Sequence, residues 1–121
     1  MKIEFKIIAD LLPNGSRVLD IGCGDGTLMK LLSNEKNIDV RGLELNEENV
    51  ESCISKGLSV IEGNAETELG QFPDKSFDFV ILSQTLQAFY SPVTVLDHLL
   101  RIGKASIVSI PNFGYWQVRA S

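Results

Sequence analysis

The sequence predicts an α/β fold, a doubly wound parallel sheet flanked by helices, and three observations carry that prediction. Short apolar runs alternate with stretches of helical periodicity, as repeated βαβ units require. One run, residues 77–83, is apolar almost without interruption, the pattern of a strand buried on both faces. Finally, residues 18–27, VLDIGCGDGT, take a buried strand through a glycine turn into a helix.

The elements follow in order. In residues 2–12, Ile3, Phe5 and Ile7 alternate as in a strand, while Phe5, Ile8 and Leu12 have helical spacing. A helix ended by Pro13-Asn14-Gly15 is the favoured reading. Residues 17–21 form the first strand, and Leu28, Leu31 and Leu32 begin the next helix, with Ser33-Asn34 expected to open a polar connection to the second strand, residues 38–44. Asn46 is an expected N-cap, Val50, Cys53 and Ile54 an apolar stripe, and Gly57 the C-terminal stop. The third strand is 59–61, with Gly63-Asn64-Ala65 just past its carboxyl end. After the turn Pro73-Asp74-Lys75-Ser76 comes the fourth strand, in which Asp78 should sit at one end or take a hydrogen bond. Ser91-Pro92 reads as an N-cap followed by proline at the first helical position; Val93, Leu96, Leu99 and Leu100 form the stripe and Gly103 the close. Residues 105–110 are the fifth strand, broken by Pro111. The expected order is 3-2-1-4-5, with a ligand at the carboxyl ends of the strands.

At 121 residues the chain supports one domain, 1–121, with an N-terminal helix over 1–12, a core over 16–111 and an aromatic tail over 112–121. A net charge of −5 without clustered Lys and Arg argues against a nucleic-acid partner. No apolar run approaches a membrane span, and Glu4, Lys6 and Asp10 interrupt any signal-peptide core, so no membrane association and a cytoplasmic location are expected. Cys23 and Cys53 have no CxxC or His-rich partner that would make a metal site and are expected to be free thiols.

The glycine turn discriminates between cofactors. Gly22, Gly24 and Gly26 permit positive φ and close approach of a ligand to the backbone. A dinucleotide turn, G-x-G-x-x-G, would have its third glycine at Thr27, whereas here the pattern is D-x-G-x-G-x-G. Asp20 would repel a pyrophosphate across the turn but suits an ammonium group. Glu44, at the end of the second strand, can accept hydrogen bonds from both hydroxyls of a ribose. Ammonium, ribose and no phosphate together describe S-adenosylmethionine better than NAD or ATP.

These residues resemble the class I S-adenosylmethionine-dependent methyltransferases, whose sheet is Rossmann-like, and more narrowly the MetW family of methionine biosynthesis. The broad resemblance rests on VLDIGCGDGT, on Glu44 in RGLELN, and on FDFVIL before a polar loop; the narrow one rests on ILSQTLQAF, residues 81–89, and IPNFGYW, residues 110–116. It implies that Asp20, Gly22 and Gly24 hold the methionine portion of the cofactor, Glu44 the ribose, Asn64 and Ala65 the adenine, and Ser83-Gln84 the floor beside the sulfonium, with Cys23, Asp25 and Leu45 also among the cofactor-binding residues. Many relatives carry Asp at the position of Asn64. The family also implies a role beside homoserine O-acetyltransferase. Such methyltransferases usually continue into antiparallel strands, which this chain is expected to lack; it is then either a fragment or a short form whose fifth strand is an open edge, covered by that acyltransferase or a second copy.

Methyl transfer is an in-line displacement that needs alignment more than a catalytic base. His98 reads as structural or surface. Gln84, Gln87 and Tyr90 could approach a methyl acceptor or belong to a solvated loop, and Phe89, Phe113, Tyr115 and Trp116 could form a lid, a partner face or core. Two functions stand: a methyltransferase, yielding S-adenosylhomocysteine, and a non-catalytic cofactor-binding subunit that regulates the acyltransferase.

Overall fold

The computed structural model describes residues 3–83, 88–110 and 114–119. Its elements run α1 (Ile3–Leu11), β1 (Arg17–Ile21), α2 (Thr27–Lys36), β2 (Asp39–Glu44), α3 (Glu47–Ser55), β3 (Ser59–Glu62), α4 (Ala65–Glu68) with a 3-10 turn (Leu69–Gln71), β4 (Phe77–Leu82), α5 (Pro92–Ile102), β5 (Gly103–Ile110) and β6 (Gly114–Arg119). They form a sheet of order β3-β2-β1-β4-β5-β6. Strands β1 to β5 are all parallel to one another, in the expected order 3-2-1-4-5.

Alternation along the strands divides the core in two. Val18, Val40, Ile81 and Ile107 pack with Ile8 of α1 and Leu12 just after it, Leu28, Met29 and Leu32 of α2, and Cys53 of α3. Leu19, Ile21, Val80, Leu82 and Val108 join Leu69 and the Val95, Leu99 and Ile102 stripe of α5. Burial of both faces explains why β1 and β4 read as nearly continuous apolar runs.

The structure departs from the sequence reading in several places. Ile54 and Val93, read as members of the α3 and α5 stripes, face solvent at 61% and 71% exposure, and Val95 and Ile102 take the buried face of α5 with Leu99. Helix α2 does not give way at Ser33-Asn34: the Ser33 hydroxyl bonds back to the Met29 carbonyl at 3.1 Å, and the helix ends at Asn37, whose left-handed φ of 51° and N–H to Leu32 O close the last turn. The segment after β3 is helical, because the Asn64 side chain accepts from Glu66 N at 2.9 Å and so caps α4. The tail over 112–121 contains a strand. β6 pairs antiparallel with β5 from Ile110↔Gly114 to Ala105↔Arg119, so the expectation that β5 lacks an antiparallel neighbour is corrected.

Candidate functional site

The parallel register brings the predicted residues to one edge of the sheet. Ile21, Leu43 and Ile61 are aligned across β1, β2 and β3, so the glycine turn, Glu44 and the Gly63-Asn64-Ala65 segment all emerge together. The turn is tied to β2 by Gly22 N to Leu43 O at 2.7 Å, and Ser83 N reaches Ile21 O at 3.0 Å. Gly22, Gly24 and Gly26 have φ of 73°, 61° and 89°. Gly26 has no alternative: a Cβ there would lie 2.6 Å from Leu58 Cδ1 and 3.0 Å from the Cys53 sulfur.

Asp20 is the electrostatic anomaly of the fold. It is only 1% exposed, and its Oδ1 accepts from the Ser83 hydroxyl at 3.0 Å. Its Oδ2 is buried and has no hydrogen-bond partner among the described residues. Loss of hydration pushes the Asp20 pKa up to about 7; Ser83 opposes this and the nearby Glu44 charge reinforces it. A buried carboxylate oxygen with nothing to accept from is a cost that a ligand donor would relieve.

Glu44 is held from both sides. Its Oε1 accepts from Gly24 N at 2.8 Å and its Oε2 from Asn46 N at 2.9 Å. A carboxylate has about four lone-pair sites, so two acceptor positions remain after these bonds. Fixed in this way, the side chain presents them without further loss of rotamer freedom.

A cleft of about 190 Å³ opens beside these groups. One wall includes Gly22, Leu45, Gly63, Asn64, Ala65 and Glu66, and the other is Ala88, Phe89 and Tyr90. Leu45 is 63% exposed, an apolar side chain at the rim. The Asn64 side-chain oxygen is occupied by the α4 cap, which leaves its amide hydrogens as donors.

Other candidates are positioned differently. Asp25 turns toward the helix starts: its Oδ1 takes Thr27 N at 3.0 Å and the Thr27 hydroxyl at 2.7 Å. Its carbonyl takes Lys56 Nζ at 2.6 Å. Cys23 is buried with its sulfur 3.9 Å from that of Cys53, and both are free thiols. Burial pushes both thiols up, away from the thiolate form that a nucleophile needs. His98 is engaged with Arg101 at 3.1 and 3.3 Å on α5 and does not line the cleft. Phe89 packs against the α5 side of the core. Gln84 and Gln87 lie outside the described residues, as do the side chains of Phe113, Tyr115 and Trp116.

Sequence reasoning missed Glu66, which bonds the backbone of Tyr90 and Ser91 at 3.0 Å each. The signal was faint: Pro92 has no N–H, and Ser91 gives α5 no side-chain cap, so the donors ahead of the helix needed an acceptor from elsewhere.

A parallel sheet with this strand order, its polar turn and its carboxylates at the carboxyl ends define a methyltransferase-like Rossmann domain. Solved structures agree. A SAM-dependent methyltransferase from Thermotoga maritima superposes with a TM-score of 0.71 at 31% identity, over 88% of this chain and 49% of that one. A TehB-like SAM-dependent methyltransferase from Corynebacterium glutamicum gives 0.73 at 21% identity, over 93% and 64%. The model of the family described as methionine biosynthesis protein MetW matches residues 2–121, and the chain belongs to that family. The bifunctional methionine biosynthesis protein MetXA/MetW of Rhodopirellula baltica is 35% identical over 127 residues, covering 98% of this chain but 20% of that protein. The chain thus spans about a fifth of that relative. Among the described residues no helix is long and apolar enough to cross a membrane.

Proposed function

We propose that this domain binds S-adenosylmethionine or S-adenosylhomocysteine and acts in methionine biosynthesis beside a homoserine O-acetyltransferase. The observation that carries the cofactor reading is Asp20 Oδ2, a buried acceptor without a donor beside a glycine turn. An α-ammonium group has the donors it lacks. Gly22 and Gly24 would let the methionine portion lie against the backbone, and the free acceptor positions of Glu44 would take the ribose hydroxyls. Leu45 and Ala65 would flank the adenine, with the Asn64 amide as a donor to its edge. Ser83 steadies Asp20 from the other side. When bound, S-adenosylmethionine supplies an electrophilic methyl group; the protein's part is to hold it and keep water from the carboxylate beneath.

The fused relative, which carries a MetXA and a MetW part in its name, supports the partnership. A second reading, a binding subunit that regulates the acyltransferase without turnover, draws on the cleft itself. Among the described residues Asp20 is buried, Glu66 puts both oxygens on backbone N–H groups, and Glu44 is braced by two more, with its remaining acceptor positions given to the ribose in this reading. Titration with S-adenosylmethionine, S-adenosylhomocysteine and NAD, followed by turnover assays and sedimentation with and without the acyltransferase, tests both. Binding of the first two but not NAD is expected. Binding of NAD in their place would overturn the cofactor assignment.

A further inference from the structure

The two walls of the cleft belong to different parts of the chain, and one side chain joins them. Residues 63–66 follow β3, whereas residues 88–90 precede α5. Glu66 spans the gap: Oε1 accepts from Tyr90 N and Oε2 from Ser91 N, both at 3.0 Å. Each oxygen therefore holds one of two consecutive backbone donors. The electrostatics favour this arrangement, because a carboxylate sits where the N–H groups of α5 begin and Pro92 supplies none. The other end of the connection is equally defined. Asn64 caps α4 through Glu66 N, and Thr67 and Glu68 donate to the Asn64 carbonyl at 3.1 and 2.9 Å. A shift of Asn64 must therefore move Glu66, and through it Tyr90 and Ser91.

Among the described residues little else fixes the second wall beyond the first turn of α5, where Val95 N donates to the Ser91 carbonyl at 3.2 Å. Tyr90 is 99% exposed, so its side chain contributes no packing. Ser91 spends its hydroxyl on Thr94 at 2.8 Å rather than on the backbone. Phe89 alone of this short segment joins the core.

We infer that Glu66 is a positioning residue, a latch that couples the adenine-side wall of the cleft to the segment facing the methyl-acceptor side. The latch deepens the cofactor reading given above and rests on it. Ligand that settles against Asn64 and Ala65 orders α4, and Glu66 passes that order to residues 88–91. A loosened latch leaves the core intact and frees the wall.

Amide hydrogen exchange on the full chain, with and without S-adenosylhomocysteine, tests this in wild type, Glu66→Gln and Glu66→Ala. In the free protein Glu66→Ala should speed exchange at Tyr90 and Ser91 by roughly ten- to a hundredfold, the loss of two charge-assisted bonds, with β1 and β4 unchanged. Glu66→Gln, which keeps one acceptor oxygen, should fall between. In wild type, ligand should slow exchange at Tyr90 and Ser91; in Glu66→Ala it should not, and affinity should fall by about three- to tenfold. Unchanged exchange at these two amides in free Glu66→Ala would overturn the latch, as would ligand protection that survives the substitution. A wild type that ignores S-adenosylhomocysteine while the free-state exchange behaves as expected would sink the cofactor reading and the coupling but leave the structural clamp standing.

Discussion

At the amino ends of the strands, Asp78 lies in a hollow of about 440 Å³ lined by Pro13, Gly15, Ser16, Phe79 and Lys104. At the carboxyl ends, Asp20 lies beside a cleft less than half that volume, about 190 Å³. Both carboxylates stand on central strands, yet their chemistry is opposite. Asp78 accepts from Arg17 N at 2.8 Å and pairs with Lys104 at 3.2 Å, and the Arg17 N–H holds its pKa below the usual carboxylate range. Its neighbour Ser16 is equally settled, its hydroxyl on the Pro13 carbonyl at 2.6 Å. Asp20 has one bond, one orphaned oxygen and a pKa driven up to about 7 by burial. The larger hollow is chemically closed, and the smaller cleft is the unfinished one.

The contrast can be broken most forcefully at Asp20 itself. Asp20→Asn keeps the shape and removes the charge, so affinity for S-adenosylhomocysteine should fall by about a hundredfold or more, as expected when a charged partner is removed from a buried pair. The same substitution should raise the melting temperature of the free protein at pH 8, because a buried unpaired charge is gone. The sign follows from linkage. An aspartate whose folded pKa lies above its unfolded value of 3.8 stabilises the fold fully only below that value, and this contribution is lost as pH rises toward 7. The melting-temperature gain in Asp20→Asn should therefore shrink as pH falls from 8 toward 4. Equal melting temperatures at pH 8 would contradict the strain assigned to Asp20.

Glu44→Ala, measured by the same titration, should weaken binding by about 1.5 to 3 kcal/mol, or ten- to a hundredfold. It also releases Gly24 N and Asn46 N, so the free protein should lose some stability. A loss of stability with unchanged affinity would make Glu44 a loop brace and nothing more.

Alanine at one glycine from each end sharpens the comparison. Gly15 and Gly26 both have left-handed φ, 79° and 89°. A Cβ at Gly15 meets nothing within 4 Å, whereas at Gly26 it meets Leu58 and Cys53. Denaturant unfolding should give about 1 kcal/mol for Gly15→Ala, the backbone term alone, and about 2 to 3 kcal/mol for Gly26→Ala, backbone plus overpacking. Equal losses would mean that the turn is not tightly packed against α3.

The smallest effect belongs to Asp78→Asn. Its pair with Lys104 is solvent-exposed, so stability at pH 7 should change by less than about 1 kcal/mol and affinity not at all. Because its folded pKa is depressed, its contribution is present above the ordinary carboxylate pKa and is lost as pH falls through the lowered value, opposite to Asp20. A loss of affinity in Asp78→Asn would mean that the two ends of the sheet are coupled.

What the sequence revealed follows the same division. Strong periodicity made β1, β4 and the existence of α5 legible, and the parallel order followed from them, but the α5 stripe lies one face off the expected one: Val95 and Ile102 are buried with Leu99, while Val93 is exposed. The spacing of Asp20, the glycines and Glu44 was legible because each requires a residue type that a plain turn does not. Helix α4 was not, since four residues carry no period and its cap, Asn64, could equally be read as a ligand contact. Strand β6 was hidden in an aromatic segment whose alternation is short, and what defines it is its antiparallel pairing with β5. Glu66 escaped because its partners are backbone amides more than twenty residues away, which no local pattern encodes.

The most direct measurement is the affinity for S-adenosylhomocysteine as a function of pH from 6 to 8, by calorimetry, in wild type and Asp20→Asn. Wild-type affinity should rise with pH and level off above 7, about tenfold tighter at pH 8 than at pH 6, as the buried carboxylate becomes available to the ammonium group. Asp20→Asn should be weak and flat across the range. Identical pH profiles in the two proteins, or affinity unaffected by the substitution, would contradict the assignment of Asp20 as the acceptor that the cofactor completes.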